Sequence, residues 1–453
     1  MNIYCLGARA ALITVVVLSA CSQESSTQPA QSDTTADVSI ANAAPISGTR
    51  EESQAVVLLR GLPTLGTHHS VAIVELDPEV ENFGEILQEF EMPDLAEPLH
   101  HLYYSPNGRL YGTGLDPQCS LAEVALSRDA SGSPVINAVD CLDTGGQQVG
   151  EDIMWYPVDG TDHMFVTFMG GRGFDDGGTV GVFDAQTNEI VKVIEARKSE
   201  VEEGAPYIMY PHGISAYQDR MVVSSTIHPD LATGVGNAIT VIDLNTLEPI
   251  ETIMIEAATP VGFPSSPVEV LFVRPSIVPG VQPAVLVNTM FGFETWKIPY
   301  DETNKSFGIP EVVYDGAAEG TGVPLEFYGN NTELFVSHGL PGIVKRYDLA
   351  SLPDLVQSAP DLVAEPGSHH MIFYKTASGK PVIAVQNNLL NLGNAADQDP
   401  TDIDFIAKLN THSITVLDLE TGQQLASINF KETYKKGIDN VEALFGSGFV
   451  HHH

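Results

Sequence analysis

Runs of alternating apolar and polar residues recur along the chain, and each run ends at an aspartate followed by a turn. Clear copies are VAIVELDPE from Val71, TVGVFDAQTNE from Thr179, AITVIDLNTLE from Ala238, IVKRYDLASLP from Ile343 and SITVLDLETGQ from Ser413. Period-two alternation predicts a strand, and the Asp-x-x-Thr or Asp-x-x-Ser turn leads into a further alternating run, so each copy predicts a β-hairpin. Weaker copies near Leu121 and Thr295 raise the number of hairpins to seven.

A second pattern comes before these hairpins: an apolar strand, a turn, and a short strand rich in Val, Phe, Tyr, Ser or Thr. HHLYYSPNGRLYGTG from His100 and HGISAYQDRMVVSST from His212 are examples. Two hairpins in each unit make four strands, which is the content of one propeller blade. The sequence therefore predicts an all-β fold, a seven-bladed β-propeller.

The N-terminal residues differ in sequence pattern from the repeated hairpins. Ala10 to Ala20 is apolar but too short to cross a bilayer, and Arg9 precedes it, as in a secretory signal. The run ends Leu18-Ser19-Ala20-Cys21, which resembles the bacterial lipobox. We interpret residues 1–20 as a lipoprotein signal peptide and Cys21 as the lipidated residue; an ordinary cleaved signal is the alternative. Because Ser22 rather than Asp follows the cysteine, we expect the outer membrane or the periplasmic face of the cell envelope.

The composition changes after Cys21. Residues 21–54 are rich in Ser, Thr, Gln and Ala and poor in large apolar side chains, which predicts a flexible tether. No comparable linker interrupts the remainder, so residues 55–450 are predicted to form one domain.

Charge and cysteine content narrow the choice of partners. The chain has 21 basic and 59 acidic residues, a net charge of −38, which disfavours nucleic acid and anionic lipid surfaces. Contact with a membrane is expected through the lipid anchor only. Once Cys5 has left with the signal and Cys21 is lipidated, Cys119 and Cys141 remain. In an oxidising compartment they form either a disulfide or two free thiols.

Histidines and carboxylates recur where the first strand of a blade begins. Because first strands line the channel of a propeller, residues at this position converge on one axis. The register predicted from the repeats places His101, Asp152, His212, Glu269 and His370 at or near one equivalent position, with His100 and His369 adjoining two of them. Imidazoles with carboxylates close by are typical of a transition-metal site, whereas carboxylates alone would favour Ca²⁺ or Mg²⁺. The alternative is that these are polar residues of a wet channel with ordinary hydrogen-bond partners.

The segment AIVELDPEVENFGEILQEFEMPDLAEPLHHLYYSPNG, Ala72 to Gly108, resembles the opening of the selenium-binding protein and methanethiol oxidase family. In that family a strand ending Val-Asp-x-Asp-Pro leads to a Met-Pro and then a Leu-His-His. SPVEVLFVRP from Ser266, ELFVSHGLPGIVKRYDLASLP from Glu333 and the region from Gly367 resemble later family segments in the same order. The resemblance covers Val71 to Gly422.

This resemblance implies a seven-bladed propeller whose bacterial members use copper to oxidise methanethiol with O₂ and water, giving formaldehyde, hydrogen sulfide and hydrogen peroxide. It also implies that His100 and His101 are the paired histidines of the family and Glu269 its inner glutamate. His212 stands where the family tends to have Asp, and His370 where it has Gln. The family's Cys-x-x-Cys after the His-His pair is missing.

The leading hypothesis is a copper-dependent oxidase of a small thiol, with His101, His212 and His370 as ligands. His100 and His369 are further candidate ligands, and Glu269 and Asp152 are expected to orient the ligands or transfer protons. Other hypotheses are a non-catalytic surface scaffold that binds a partner, a lactonase with a carboxylate-bound calcium ion, and an oxygenase with histidine-bound iron.

Overall fold

The computed structural model describes residues 53–62, 65–173, 177–195, 209–229, 234–256, 260–330, 332–389 and 409–445, and the backbone of 450–451. The predicted signal peptide, Cys21 and nearly all of the predicted tether lie outside the described residues. Seven antiparallel sheets form a ring, which confirms the seven-bladed β-propeller.

We number the blades from the N-terminus and give the strands of each from the channel outwards. Blade 1 contains β29 (Gly437–Ala443), β1 (Gln54–Arg60), β2 (His69–Glu75) and β3 (Ile86–Met92). Blade 2 contains β4 (Leu99–Tyr104), β5 (Leu110–Gly114), β6 (Leu121–Arg128) and β7 (Pro134–Cys141). Blade 3 contains β8 (Gln148–Val158), β9 (Thr161–Gly171), β10 (Thr179–Asp184) and β11 (Ile190–Glu195).

The next two blades follow the same order. Blade 4 contains β12 (Pro211–Tyr217), β13 (Arg220–Ile227), β14 (Val235–Asp243) and β15 (Glu248–Met254). Blade 5 contains β16 (Pro267–Val273), β17 (Ala284–Thr289), β18 (Glu294–Asp301) and β19 (Ser306–Phe307), and β20 (Glu311–Asp315) also pairs with β18.

The last two blades complete the ring. Blade 6 contains β21 (Gly322–Gly329), β22 (Glu333–Leu340), β23 (Ile343–Asp348) and β24 (Leu362–Val363), with β30 (Val450–His451) beside β21. Blade 7 contains β25 (Ser368–Lys375), β26 (Pro381–Asn387), β27 (Ser413–Asp418) and β28 (Gln424–Asn429). Among the described residues helix is limited to α1 (Gly316–Glu319), α2 (Phe430–Tyr434) and a 3₁₀ turn at Leu349–Ser351.

The turns after the third strands have the structure that their sequence predicts. The Oδ1 of Asp184 accepts hydrogen bonds from the backbone N–H groups of Gln186 and Thr187, each 2.9 Å long. Asp418 accepts in the same way from Glu420 and Thr421. An aspartate that accepts from its own following backbone closes a tight turn, which explains the recurring Asp-x-x-Thr motif.

Two distant parts of the chain close the ring. In blade 1, β1 pairs with β2 on one side and with β29, from the other end of the domain, on the other side. β29 also contacts the innermost strands of both neighbouring blades, β25 and β4. Apolar residues of adjacent blades pack together at each junction; one such cluster joins Val57 of β1 to Tyr374 of β25.

Cys119 and Cys141 form a disulfide, with their Cα atoms 5.1 Å apart. The sequence allowed either a disulfide or two free thiols, and the structure has the disulfide. No helix in the described part of the chain is both long and apolar enough to cross a membrane.

Candidate metal centre

Near its start, each innermost strand contains a β-bulge. In blade 2, Leu99 pairs with Gly114 and Leu102 with Gly112, so three steps along β4 match two along β5. The same shift occurs in β8, β12, β16, β21 and β25, and β29 has it at Asp439. Consecutive residues of a regular strand point to opposite faces, and a bulge interrupts that alternation. It thus allows two adjacent side chains to reach the channel.

The residues inside these bulges are the predicted site residues and their neighbours. Going round from blade 2 to blade 7, the pairs are His100–His101, Glu151–Asp152, His212–Gly213, Val268–Glu269, Leu325–Glu326 and His369–His370. The five residues predicted at or near one position differ in one detail: His212 takes the first position of its pair, as His100 does, whereas the other four take the second.

Buried polar side chains on the second strands hold the bulges in place. The hydroxyl of Thr113 lies 3.3 Å from the backbone N of His101 and donates to the carbonyl of Glu151 in the next blade at 2.8 Å. Thr167 repeats this arrangement between Asp152 and the carbonyl of His212. Each hydroxyl satisfies backbone groups that the bulge removes from the ladder. It therefore fixes the position of one blade's bulge relative to the next.

One group of potential ligands combines His101, His369, His370 and Glu326. One ligand atom from each lies within 4.8 Å of the others, and all four residues are buried. The Nε2 of His369 is 3.2 Å from the Oε1 of Glu326. The Nε2 of His101 has no hydrogen-bond partner in the structure. We call this set group A.

A second group combines His100, His101 and Glu151 within the same limit of 4.8 Å. The Oε2 of Glu151 lies 3.5 Å from the Nε2 of His100 and 3.6 Å from the Nε2 of His212. The two groups adjoin, since the ring of His101 is 4.7 Å from that of His370 and 5.5 Å from that of His212. The structure therefore brings all five predicted histidines together, but His212 belongs to neither group and lies beside Glu151.

Two tyrosines contact the outward nitrogens of two histidines. The hydroxyl of Tyr103 lies 3.0 Å from the Nδ1 of His101, and the hydroxyl of Tyr328 lies 3.2 Å from the Nδ1 of His370. A partner on one ring nitrogen fixes the tautomer and orientation, and leaves the other nitrogen to face a metal. Both imidazoles are thus arranged to present Nε2 to the channel.

The two predicted carboxylates have different surroundings. Asp152 accepts hydrogen bonds from the backbone N–H groups of Ile153 at 2.7 Å and Ile214 at 3.0 Å, so it connects blade 3 to blade 4. Glu269 instead faces a histidine, with its Oε1 2.9 Å from the Nδ1 of His212. A Cβ at Gly213 would lie 2.9 Å from the Oε2 of Glu269, so the glycine leaves room for this carboxylate.

Burial determines the electrostatics of the centre. It lowers the pKa of the His100 and His101 imidazoles well below the usual value, and the neighbouring histidines lower it further. It raises the pKa of the Glu151 and Glu269 carboxyls well above the usual value, with the other carboxylates adding to the effect. Neutral imidazoles are the form that binds metal.

Apolar side chains gather beside the bulges. Val268 and Leu325 occupy the first bulge position in blades 5 and 6, where other blades have histidine or glutamate. They belong to a buried cluster that includes Tyr210, Met290 and Phe291. Water is therefore kept from this side of the centre.

Sequence reasoning missed Glu151, Glu326, Tyr103 and Tyr328. Glu151 directly precedes the predicted Asp152, and Glu326 occurs in PLEF, which parallels the PVEV around Glu269. Those two signals were present in the sequence. Tyr103 follows His101 by two residues on the same strand and so had a local signal too, whereas Tyr328 carries none, because it reaches His370 from another blade.

The donor set fits a transition metal. Imidazole nitrogens suit copper, iron or zinc, and a carboxylate oxygen is compatible with each of them. Calcium prefers six to eight oxygen ligands, which group A does not supply.

No family model matches the chain. A search of curated proteins likewise finds no match. Among solved structures, the chain is similar to a hypothetical selenium-binding protein from Sulfolobus tokodaii, with 13% identity, a TM-score of 0.59, and coverage of 88% of this chain and 95% of that one. It is also similar to a candidate 6-phosphogluconolactonase from Bacteroides uniformis, with 13% identity, a TM-score of 0.47, and coverage of 86% of this chain and 99% of that one. Hydrazine synthase from Kuenenia stuttgartiensis matches with 15% identity, a TM-score of 0.40, and coverage of 74% of this chain and 81% of that one. The first of these likenesses shows the propeller fold.

Proposed function

We propose that this chain is a copper-dependent thiol oxidase of the methanethiol oxidase type. The observation that carries the proposal is group A, in which three buried imidazoles and one carboxylate converge from three blades. The sequence resemblance to the selenium-binding protein and methanethiol oxidase family supports the choice of reaction. The similarity to the Sulfolobus tokodaii structure is consistent with the fold that this family has.

In this proposal His101, His369, His370 and Glu326 hold the copper ion. Copper supplies one-electron redox chemistry and binds thiolates, which few other metals combine. Tyr103 and Tyr328 keep His101 and His370 in the tautomer that presents Nε2. The overall reaction consumes one methanethiol, one O₂ and one water, and releases formaldehyde, hydrogen sulfide and hydrogen peroxide. The carbon loses two electrons and O₂ gains two, so the equation balances.

The apolar cluster favours a small, uncharged substrate. Val268 and Leu325 directly precede the channel carboxylates Glu269 and Glu326 and belong to a buried apolar cluster beside them. An alkyl thiol would bury its methyl group against such a wall, whereas a charged substrate would lose hydration without a partner.

The N-terminal sequence supports a proposal for where in the cell the protein acts. We propose that Cys21 anchors the domain in the cell envelope through a lipid and that residues 21–54 act as the tether. An oxidising, oxygen-exposed compartment suits both the Cys119–Cys141 disulfide and an enzyme that releases peroxide.

The test begins with the metal content of purified protein. We expect stoichiometric copper, and consumption of methanethiol and O₂ with equal release of hydrogen peroxide and sulfide. The double variant His101→Ala, His370→Ala should lose both metal and activity. His163→Ala is the matched control, since His163 lies on β9 with its Nδ1 2.9 Å from the carbonyl of Thr161. Protein with stoichiometric iron, calcium or no metal, or a double variant with unchanged metal content, would overturn the proposal.

A further inference from the structure

The channel contains more ligands than one ion can use. Five histidines and three glutamates converge there from six blades. The four donors of group A alone complete a tetrahedral ion. His100, His212 and Glu151 then remain as buried donors on the adjacent side of His101.

Glu151 lies at metal-site spacing from each of the two histidines, whereas His212 stands outside the 4.8 Å group of His100 and Glu151, so an ion shared by all three would draw its ring closer. Two donors that are each about 2.1 Å from an ion are about 3.4 Å apart at the tetrahedral angle. The Oε2 of Glu151 is 3.5 Å from the Nε2 of His100 and 3.6 Å from the Nε2 of His212. That oxygen is buried and has no hydrogen-bond partner, so neither contact is an ordinary hydrogen bond.

Glu269 supplies an independent observation. It lies 2.9 Å from the Nδ1 of His212, on the opposite edge of the ring from Glu151. The contact does not have hydrogen-bond geometry, but it places a carboxylate beside one imidazole nitrogen while the other nitrogen faces a second carboxylate, which is the layout of a carboxylate–histidine–metal triad. Tyr103 plays the corresponding part for His101 in group A.

The charges around Glu151 and Glu269 also favour a bound metal ion. Within the described residues no lysine or arginine forms an ion pair with Glu151 or Glu269; their ion-pair partners are histidines. Buried carboxylates are ordinarily paired or bound to a metal. Among the described residues, Glu151 has no lysine or arginine as such a partner.

We infer that the channel binds a second divalent transition-metal ion through His100, His212 and Glu151, next to the ion of group A. Two imidazoles and one carboxylate leave coordination positions open, as in metal centres that bind a small molecule. This inference rests on the proposed metal centre and adds to it a paired ion.

The experiment is a titration of metal-free protein with CuCl₂, followed by equilibrium dialysis and elemental analysis. We expect two copper ions per chain in the wild type and one in the double variant Glu151→Gln, His212→Ala. The double variant His369→Ala, His370→Ala should also retain one. Circular dichroism and thermal melting establish that each variant is folded. The near-isosteric single variant Glu151→Gln provides a second measurement if the double variant unfolds.

Electron paramagnetic resonance distinguishes a paired site from two separate ions. If the ions are adjacent, the signal of isolated Cu²⁺ should grow up to one equivalent and shrink as the second binds. Wild-type protein that stops at one ion, or a Glu151→Gln, His212→Ala variant that still binds two, would refute the second site and leave the proposed oxidase intact. Protein that binds no copper would refute both. Protein that binds two ions but does not oxidise thiols would refute the oxidase alone.

Discussion

The Nδ1 of His212 lies 2.9 Å from the Oε1 of Glu269, across the junction between blades 4 and 5. Gly213, the second residue of the same bulge, makes this approach possible, because a Cβ there would lie 2.9 Å from the other oxygen of Glu269. The carboxylate therefore lies against the Nδ1 edge of the His212 ring, whose Nε2 faces Glu151. Several expected outcomes depend on such contacts between blades.

Glu269→Gln should weaken the second metal ion more than the first. The amide keeps the size of the side chain but not its charge, so His212 loses the negative charge beside its Nδ1. Loss of such an outer carboxylate typically reduces metal affinity by about 10- to 100-fold. Competitive copper titration measures the effect, with Glu81→Gln on the exposed surface as the matched control. Equal weakening of both ions would argue against the assigned role of Glu269.

Tyr103→Phe and Tyr328→Phe should each retain metal but bind it about 10-fold more weakly, because the contacted imidazole loses the partner on its Nδ1. The hyperfine pattern of bound Cu²⁺ should change as well. Tyr374→Phe removes an equally buried hydroxyl, which donates to the carbonyl of Leu76. It should lower stability by about 1 kcal/mol and leave the spectrum unchanged. An unchanged spectrum in the Tyr103 and Tyr328 variants would contradict their positioning role.

Asp439→Asn should change the pH dependence of stability. Burial raises the pKa of Asp439 to about 7, against the lowering effect of Arg60, whose Nε lies 3.7 Å away. Since the folded protein holds this proton more tightly than the unfolded chain, the stabilising contribution is complete below about pH 4 and is lost as the pH rises to about 7.

The asparagine variant should therefore be more stable than the wild type at pH 8, by at most about 4 kcal/mol, with the smallest difference at pH 4. Urea unfolding at both pH values measures this, and Asp94→Asn on the exposed surface serves as control. A difference that does not vary with pH would show that Asp439 titrates normally.

Reduction of the Cys119–Cys141 disulfide, or its replacement by two alanines, should destabilise the domain. The bridge joins cysteines 22 positions apart. Releasing a loop of that length costs about 3 kcal/mol by the loop-entropy estimate. Denaturant unfolding with and without reductant provides the measurement, and the double-alanine variant should be insensitive to reductant. Identical midpoints in the oxidised and reduced wild type would contradict a stabilising bridge.

Cys21→Ala should release the protein from the membrane fraction of cells that export it. The predicted anchor is a lipid on this residue, and the described part of the chain has no membrane-spanning helix to replace it. Fractionation and mass spectrometry of the N-terminal peptide test the prediction, with Cys5→Ala as the control. A Cys21→Ala variant that stays in the membrane fraction would exclude the lipid as the anchor.

The propeller could be predicted because its signals are local. The apolar runs TVGVFD and SITVLD indicate strands, which the structure buries along nearly their whole length, and Asp184 and Asp418 close their own turns. Seven repetitions of that local pattern leave few other architectures. The histidines at the starts of the innermost strands could also be predicted from the sequence, because the strand pattern around each of them is local.

Only the tertiary structure shows that these residues lie close together. A bulge is a mismatch between two strands, so it is absent from the pattern of either one; for that reason the sequence did not show that His212 is offset by one position from the other four residues. Glu326 and His369 interact only because blades 6 and 7 are neighbours, and Tyr328 reaches His370 across the same junction. The sequence by itself determined the strands, the blades and the donor types, since each depends on residues close together in the chain. The grouping of those donors into one centre was decided only when the ring closed, because it depends on distances between blades that no local pattern contains.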